Sequence, residues 1–169
     1  MKQIETDLLK IKYFATVREN ENIRFRAFLK SKSSTEVDNI VHRLHKEIAA
    51  QIDCTLCGNC CCQLKPELHE KDIIILSQIE KITPENYIDN YCEKDDFDND
   101  IYLKTIPCRY LEGKKCSIYD SHPEECRRFP YTCEDGFISR LFEMLNFYEF
   151  CPIVFNLMEK LKGELEFRR

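Results

Sequence analysis

Cys54-Thr55-Leu56-Cys57-Gly58-Asn59-Cys60-Cys61-Cys62 sets five cysteines within nine residues. Thiolates held that close repel one another unless a cation lies among them. The C-x-x-C from Cys54 to Cys57 overlaps a second from Cys57 to Cys60, so one short turn can bend several sulfurs onto metal. Gly58 stands inside this turn, where a positive φ or a close backbone approach favours a residue without a Cβ. The stretch therefore predicts irregular, cysteine-bearing loops organised around a metal centre, and the rest of the fold is read outward from it.

The chain has 169 residues, 43% hydrophobic and 33% charged, which suits a domain with a real core. Its formal net charge of -5 gives no global basic footprint for nucleic acid. Its strongest apolar run, Ile73 to Leu76, is far too short for a membrane span. Met1 to Asp7 carries no apolar leader core, so the expected compartment is the reducing cytoplasm. Eleven cysteines in that compartment argue for metal over disulfides, and an odd count forbids complete pairing.

Residues 1–33 read as a charged, irregular extension packing on the domain, with Ile11, Tyr13, Phe14 and Val17 marking one short helix. Arg24, Arg26, Lys30 and Lys32 read as a solvated face. The cysteine-cluster domain is expected over residues 34–169. Thr35 is an N-cap candidate with Asp38 as its box partner, and apolar residues from Val37 to Ile52 at helical spacing deliver the chain to Cys54. His42 and His45 lie on that helix as surface or half-buried residues. A second helix is expected over residues 70–81 with Ile73, Leu76 and Ile79 inward. Thr83-Pro84-Glu85 starts a third.

Asp96, Asp98 and Asp100 begin like a calcium loop, but Ile101 and Pro107 stand where that loop needs glycine and glutamate. A solvated loop is expected there. Residues 101–106 read as a strand, and Glu112-Gly113 as the turn of a small hairpin with Cys108 and Cys116 near its base. Ser121 to Glu124 reads as a capping box for a helix bearing Cys126 and Arg127. Ile138, Leu141, Phe142 and Leu145 show helical spacing. Cys151-Pro152 interrupts it and opens a last helix burying Ile153, Phe155, Leu157 and Leu161. The fold class expected is mainly α with a small β-hairpin.

Four thiolates would make a structural zinc site or hold a [4Fe–4S] cluster. Neighbouring side chains usually point apart, which places Cys60 and Cys61 on two different ions or on two ions of one cluster.

Cys54-x-x-Cys57-Gly58-x-Cys60-Cys61 resembles the CxxCGxCC signature of the YkgJ-like cysteine-cluster proteins, a zinc- or iron-chelating family. A second block matches as well: Pro107-Cys108-x-x-Leu111, Cys116-Ser117-Ile118-Tyr119, and Pro123-x-x-Cys126-Arg127-x-Phe129-Pro130, followed by Cys151-Pro152. The likeness spans about Val37 to Lys162. It departs where His122 replaces an arginine common before Pro123, and Cys62 and Cys133 are additional. The resemblance implies metal ligation by Cys54, Cys57, Cys60, Cys61, Cys108, Cys116, Cys126 and Cys151, with zinc as the cofactor and iron or an iron–sulfur cluster as the alternative.

The function expected is a mainly structural, multinuclear thiolate site whose partners are metal ions. The alternative is an iron–sulfur redox protein or oxidoreductase component. A metal-dependent catalyst would draw on Tyr119, His122, Glu124, Glu125 and Arg127, which lack diagnostic spacing. An interaction module with an architectural metal would need a protein partner, which the sequence does not identify. Only 4 glycines occur, and none forms a phosphate-binding loop.

Overall fold

The computed structural model describes residues 4–96 and 98–168. Met1 to Gln3, on which the leader reading partly rests, lie outside the described residues. In chain order the helices are α1 (Leu8–Val17), α2 (Glu19–Leu29), α3 (Ser34–Ala49), α4 (Cys54–Cys57), α5 (Glu70–Glu80), α6 (Pro84–Tyr91), α7 (Glu124–Arg128), α8 (Leu141–Tyr148) and α9 (Pro152–Glu164). The strands are β1 (Cys92–Lys94), β2 (Ile101–Leu103), β3 (Leu111–Glu112) and β4 (Lys115–Cys116). Among the described residues the protein is mainly helical with two small antiparallel sheets. The chain divides into two compact units: Met1–Asp53 with Pro130–Arg169, and Cys54–Phe129.

In the first unit α9 is the central element. Pro152 through Met158 are all buried, then Leu161 and Lys162, so the helix is enclosed on nearly every side. It packs against α3, α8 and α1. From α3 come Val37, Val41, Leu44 and Ile48, spaced as one helical face. Each such side chain contributes about 1.5–3 kcal/mol on full burial.

Lys162 is 1% exposed. Its ammonium donates to Glu21 Oε1 at 2.7 Å, Asn22 Oδ1 at 2.6 Å and Glu159 Oε1 at 2.7 Å. Glu159 also accepts from Tyr148 Oη at 2.9 Å and Arg18 Nη1 at 2.6 Å. Burial alone would raise the Glu159 carboxyl, but Lys162 first, then Tyr148 and Arg18, hold it below its ordinary range.

Residues 1–33 depart from the irregular reading by forming two helices. α2 escapes a hydrophobic pattern because one of its buried positions, Asn22, is polar and serves Lys162. Ile11 is buried, whereas Tyr13 and Val17 face solvent. The α3 cap is Ser33, whose Oγ accepts from Glu36 N at 3.5 Å. Asp38 is instead buried, and its carboxylate accepts from the Gly136 and Phe137 amides at 2.9 Å each. Phe142, one of the residues at helical spacing, is 65% exposed; Leu141, Met144 and Tyr148 form the buried face of α8.

The second unit has a small core: Leu68, Ile73, Leu76, Tyr87, Cys92, Leu103 and Tyr110. α5 caps through Asp72, whose Oδ2 accepts from His69 N at 3.1 Å. Ile73 and Leu76 face in as expected, but Ile79 is 40% exposed. α6 starts as the sequence indicates, with Thr83 Oγ1 accepting from Asn86 N at 3.3 Å and Pro84 in the first turn.

The small hairpin turned at Glu112-Gly113 forms beside Cys116, but the strand read over residues 101–106 is not part of it. Ile101–Leu103 pairs back on Cys92–Lys94, with Cys92 opposite Leu103, so the end of the acidic segment is anchored by a sheet. The hairpin near the cysteines is a separate one, with Leu111 opposite Cys116 and Glu112 opposite Lys115. Gly113 turns it at φ +65°.

Candidate metal centre

None of the eleven cysteines forms a disulfide. Nine of them, Cys54, Cys57, Cys60, Cys61, Cys62, Cys92, Cys108, Cys116 and Cys126, belong to the second unit, and Cys133 and Cys151 to the first.

The leading block folds as two tight turns. α4 carries Cys54 and Cys57 at its ends, and a 3₁₀ turn carries Cys60, Cys61 and Cys62. Gly58 joins them at φ +60°. A Cβ at this position would stand 2.6 Å from the Lys114 carbonyl oxygen, so only glycine lets the first block lie against the tip of the β3–β4 hairpin. A second tie runs from the Cys108 amide to the Cys61 carbonyl at 2.7 Å.

These ties bring two distant sequence blocks together. Cys61, Cys108, Cys116 and Cys126 lie within electrostatic reach of one another. The charge of Cys61 acts on the other three thiols, and those of Cys108 and Cys116 act on Cys126. Burial first, then these neighbouring charges, push Cys126 up to about 12, although the residue is exposed by surface area. The area reflects the whole residue, and the titration reflects the crowding around its sulfur. Burial likewise raises Cys108 and Cys116. Cys61 moves the other way, to about 7, chiefly through the hydrogen bond it shares with Cys60.

Backbone donors oppose the penalty on ionisation. The Tyr110 amide donates to the Cys108 sulfur and the Ile118 amide to the Cys116 sulfur, each two residues downstream. Amides aimed at sulfur favour thiolate, the form that binds metal.

Cys126 sits in the middle of α7, whose N-cap Pro123 supplies no side-chain cap. The expected Ser121 capping box is absent; Ser121 belongs to a 3₁₀ turn, Tyr119–Ser121. Asp72 takes its place, its Oδ1 accepting from the Glu124 amide at 3.1 Å, so one buried carboxylate joins the starts of α5 and α7. His122 bonds the Tyr119 carbonyl through Nδ1. Arg127 folds back onto the carbonyls of His122 at 3.1 Å and Asp120 at 3.3 Å, and Arg128 pairs with Glu125 at 2.7 Å.

The expectation that Cys60 and Cys61 point apart is not met. Their sulfurs are 4.0 Å from each other, because the tight 3₁₀ turn sends both side chains the same way. That distance is close to the edge of a tetrahedral thiolate site, about 3.8 Å for a metal–sulfur bond of about 2.3 Å. Among the described residues no group of three or more His, Cys, Asp or Glu side chains stands in a ligating array. By donor chemistry, with soft sulfurs, inward amides and mutual charge coupling, the set fits a thiophilic metal.

Cys92 is buried, and desolvation pushes it up to about 11; it packs in the apolar core and feels the charges of Lys104 and Arg109. Cys151 is the N-cap residue of α9, as its position before Pro152 implies, and is buried in the first unit. His42 and His45 are also in the first unit. His45 Nδ1 is 2.7 Å from Thr132 Oγ1, and His42 Nε2 is 3.8 Å from Asp135 Oδ1. Asp72, the Tyr110 and Ile118 amides, and the Lys114 carbonyl were invisible to sequence reasoning. Only the aspartate left a signal, as an acid in the first turn of a helix.

The model of the CxxCxxCC family, described as "Putative zinc- or iron-chelating domain", matches residues 53–152. No curated protein and no solved structure gives a match. No helix among the described residues is long and apolar enough to cross a membrane.

Proposed function

Because the chain belongs to the CxxCxxCC family of zinc- or iron-chelating domains, we propose that it is a metal-binding protein whose multinuclear thiolate site serves mainly to hold the fold together. The donors are Cys54, Cys57, Cys60, Cys61, Cys108, Cys116, Cys126 and Cys151. The observation that carries this reading is the approach of the two cysteine blocks, in which the Cys108 amide donates to the Cys61 carbonyl at 2.7 Å and Gly58 lies against Lys114, with Cys61, Cys108, Cys116 and Cys126 close enough for their charges to act on one another. Four thiolates match the needs of one zinc or iron ion. Cys54, Cys57 and Cys60 remain for a further ion, with Cys151 as the ligand that would pin α9 to the centre.

When bound, a metal would supply the positive charge that offsets the mutual repulsion of the thiolates. Each protein group then has a defined part. The Tyr110 and Ile118 amides stabilise anionic sulfur, Asp72 holds α7 and hence Cys126 in place, and Gly58 permits the close approach of the two blocks.

A second reading, an iron–sulfur redox protein, draws support from the exposure of Cys54 and Cys126, since electron transfer needs a cluster edge near the surface. Metal analysis and an absorption spectrum of protein purified without oxygen separate the two. A colourless protein with more than one zinc per chain is the expected result. Visible charge-transfer bands with iron and acid-labile sulfide would replace it with the second reading. One zinc per chain, with half of the proposed thiols alkylated in the native state, would overturn the multinuclear site. Cys151→Ser should lower metal content, whereas Cys133→Ser should not.

A further inference from the structure

Helices α1 and α2 are joined by the single residue Arg18. Its amide donates to the Phe14 carbonyl at 3.0 Å and its carbonyl accepts from the Asn22 amide at 2.8 Å, so the helical ladder runs past the junction. The inner face of the pair is occupied: Ile11, Ala15, Phe25 and Leu29 are buried. The outer face is apolar and open. Leu9 is 81% exposed, Tyr13 62% and Val17 56%, at i, i+4 and i+8 of α1, and Ile23 follows on α2 at 54%. Single exposed apolar side chains are ordinary, but three in helical register with a fourth beyond them form a stripe.

Cations border that stripe. Residues 8–32 hold seven Lys and Arg against two Glu, in a chain whose formal net charge is -5. Lys12, Arg24 and Lys30 are exposed, and their side chains have no hydrogen bond or ion pair with any described residue. Of the two acids, Glu21 is turned to Lys162 at 2.7 Å. The basic residues of α2 are thus more than a solvated face, because an unpartnered apolar stripe runs beside them.

We infer that the outer face of α1 and α2 docks on an anionic lipid surface, with Leu9, Tyr13, Val17 and Ile23 entering the headgroup layer and Lys12, Arg24 and Lys30 meeting its negative charge. Charge complementarity selects the occupant: a face of free cations beside apolar side chains calls for a surface that is both negative and oily. A second copy of the chain laid on this face would set these cations against their own kind. A protein partner would need a groove matched to a helical ridge, whereas fluid lipid conforms to one. Tyrosine suits the boundary, since its ring is apolar and its hydroxyl stays wet. This inference is independent of the metal reading, as it uses no cysteine.

The test is co-sedimentation of the full chain with vesicles of phosphatidylcholine alone or of equimolar phosphatidylcholine and phosphatidylglycerol. Wild type should bind the anionic vesicles at least about tenfold more tightly than the neutral ones and weaken as salt rises. Lys12→Gln, Arg24→Gln and Lys30→Gln combined should lower that affinity about 100-fold. Leu9→Ser, Tyr13→Ser and Val17→Ser combined should lower it about tenfold or more. All six positions are exposed, so thermal unfolding of both variants should match wild type. The chain has no tryptophan, so Tyr13→Trp adds a single reporter that leaves the stripe apolar. Its emission should shift to the blue on anionic vesicles and be quenched by brominated lipid. Absence of wild-type binding overturns the inference, as does a Tyr13→Trp reporter that stays in water. Full affinity in the apolar variant reduces the contact to charge alone and overturns it as well. Self-association of wild type that the apolar variant abolishes, with no vesicle binding, would assign the face to a second copy instead.

Discussion

The two units solve the problem of chain entropy by different means. In the first, α9 is enclosed by α3, α8 and α1, with Val154, Leu157, Met158 and Leu161 fully buried. In the second, a core of Leu68, Ile73, Leu76, Tyr87, Cys92, Leu103 and Tyr110 must hold strands of two or three residues and long connecting turns. Ordering each residue costs roughly 1–2 kcal/mol, and so few buried side chains offset little of it. The cysteines concentrate where the apolar core is thinnest. On the reading proposed above, metal-bound thiolates would do in this unit the work that leucine and isoleucine do in the first.

Removing metal should break the comparison most sharply. Structural zinc contributes about 10–16 kcal/mol of apparent binding free energy in small thiolate domains. After strong chelation under reducing conditions, amide exchange should accelerate throughout residues 54–129 while α3, α8 and α9 stay protected. Native protection of α5, α6 and β1–β2 in a verified metal-free sample would count against the second unit's dependence on metal.

The reverse experiment strikes the first unit alone. Leu157→Ala leaves a cavity beside α9 and should destabilise by about 2–5 kcal/mol. Metal stoichiometry should not change. Denaturant unfolding with metal analysis on the same sample checks both, and lost metal in this variant would mean that the units do not fold separately.

Two glycines sharpen the picture within the second unit. Gly58→Ala must both accept φ +60° and push a Cβ into the Lys114 carbonyl, and should cost roughly 3 kcal/mol along with tight metal binding. Gly113→Ala meets open space at a similar φ and should cost only about 1 kcal/mol. Equal losses in the two variants would show that conformational strain, and not the approach of the blocks, sets the requirement at Gly58.

The smallest effect concerns acid. Burial first, then His42, lowers the pKa of His45, so the fold favours its neutral ring. That preference is satisfied above the unfolded value of about 6.5, and stability is lost as pH falls through the lower folded value. The first unit should therefore weaken below about pH 6.5, and His45→Gln should flatten that slope. The second unit should respond to the same acid by releasing metal, since protons compete for thiolate. An unchanged slope in His45→Gln would assign the acid response elsewhere.

The helices with local signals were legible from sequence. Thr83-Pro84 fixes the start of α6, Cys151-Pro152 that of α9, and the apolar face of α3 is plain from Val37 to Ile48. What escaped was tertiary in origin. Asp38 stands where a capping box wants an acid, yet its carboxylate holds the amides of Gly136 and Phe137, about a hundred residues away. α2 is hidden because Asn22 is buried for the sake of Lys162. Ile101–Leu103 turned back to Cys92–Lys94 because pairing depends on where α6 ends, which no local pattern encodes. At the candidate site the two cysteine blocks were legible, since cysteine is rare and its spacing is distinctive. Asp72 was not, because its role depends on the start of α7, brought to it from 52 residues away.

Lys162 carries a consequence for chemical labelling. Its amine has every N–H engaged and almost no exposed surface, so an acylating reagent can reach it only when the helices around it separate. Exposed lysines such as Lys10, at 62% side-chain exposure, have no such barrier. Under reagent excess, the lag between modification of Lys10 and of Lys162 becomes a clock for transient opening of the helical unit, read by mass spectrometry from a native amine without any introduced probe.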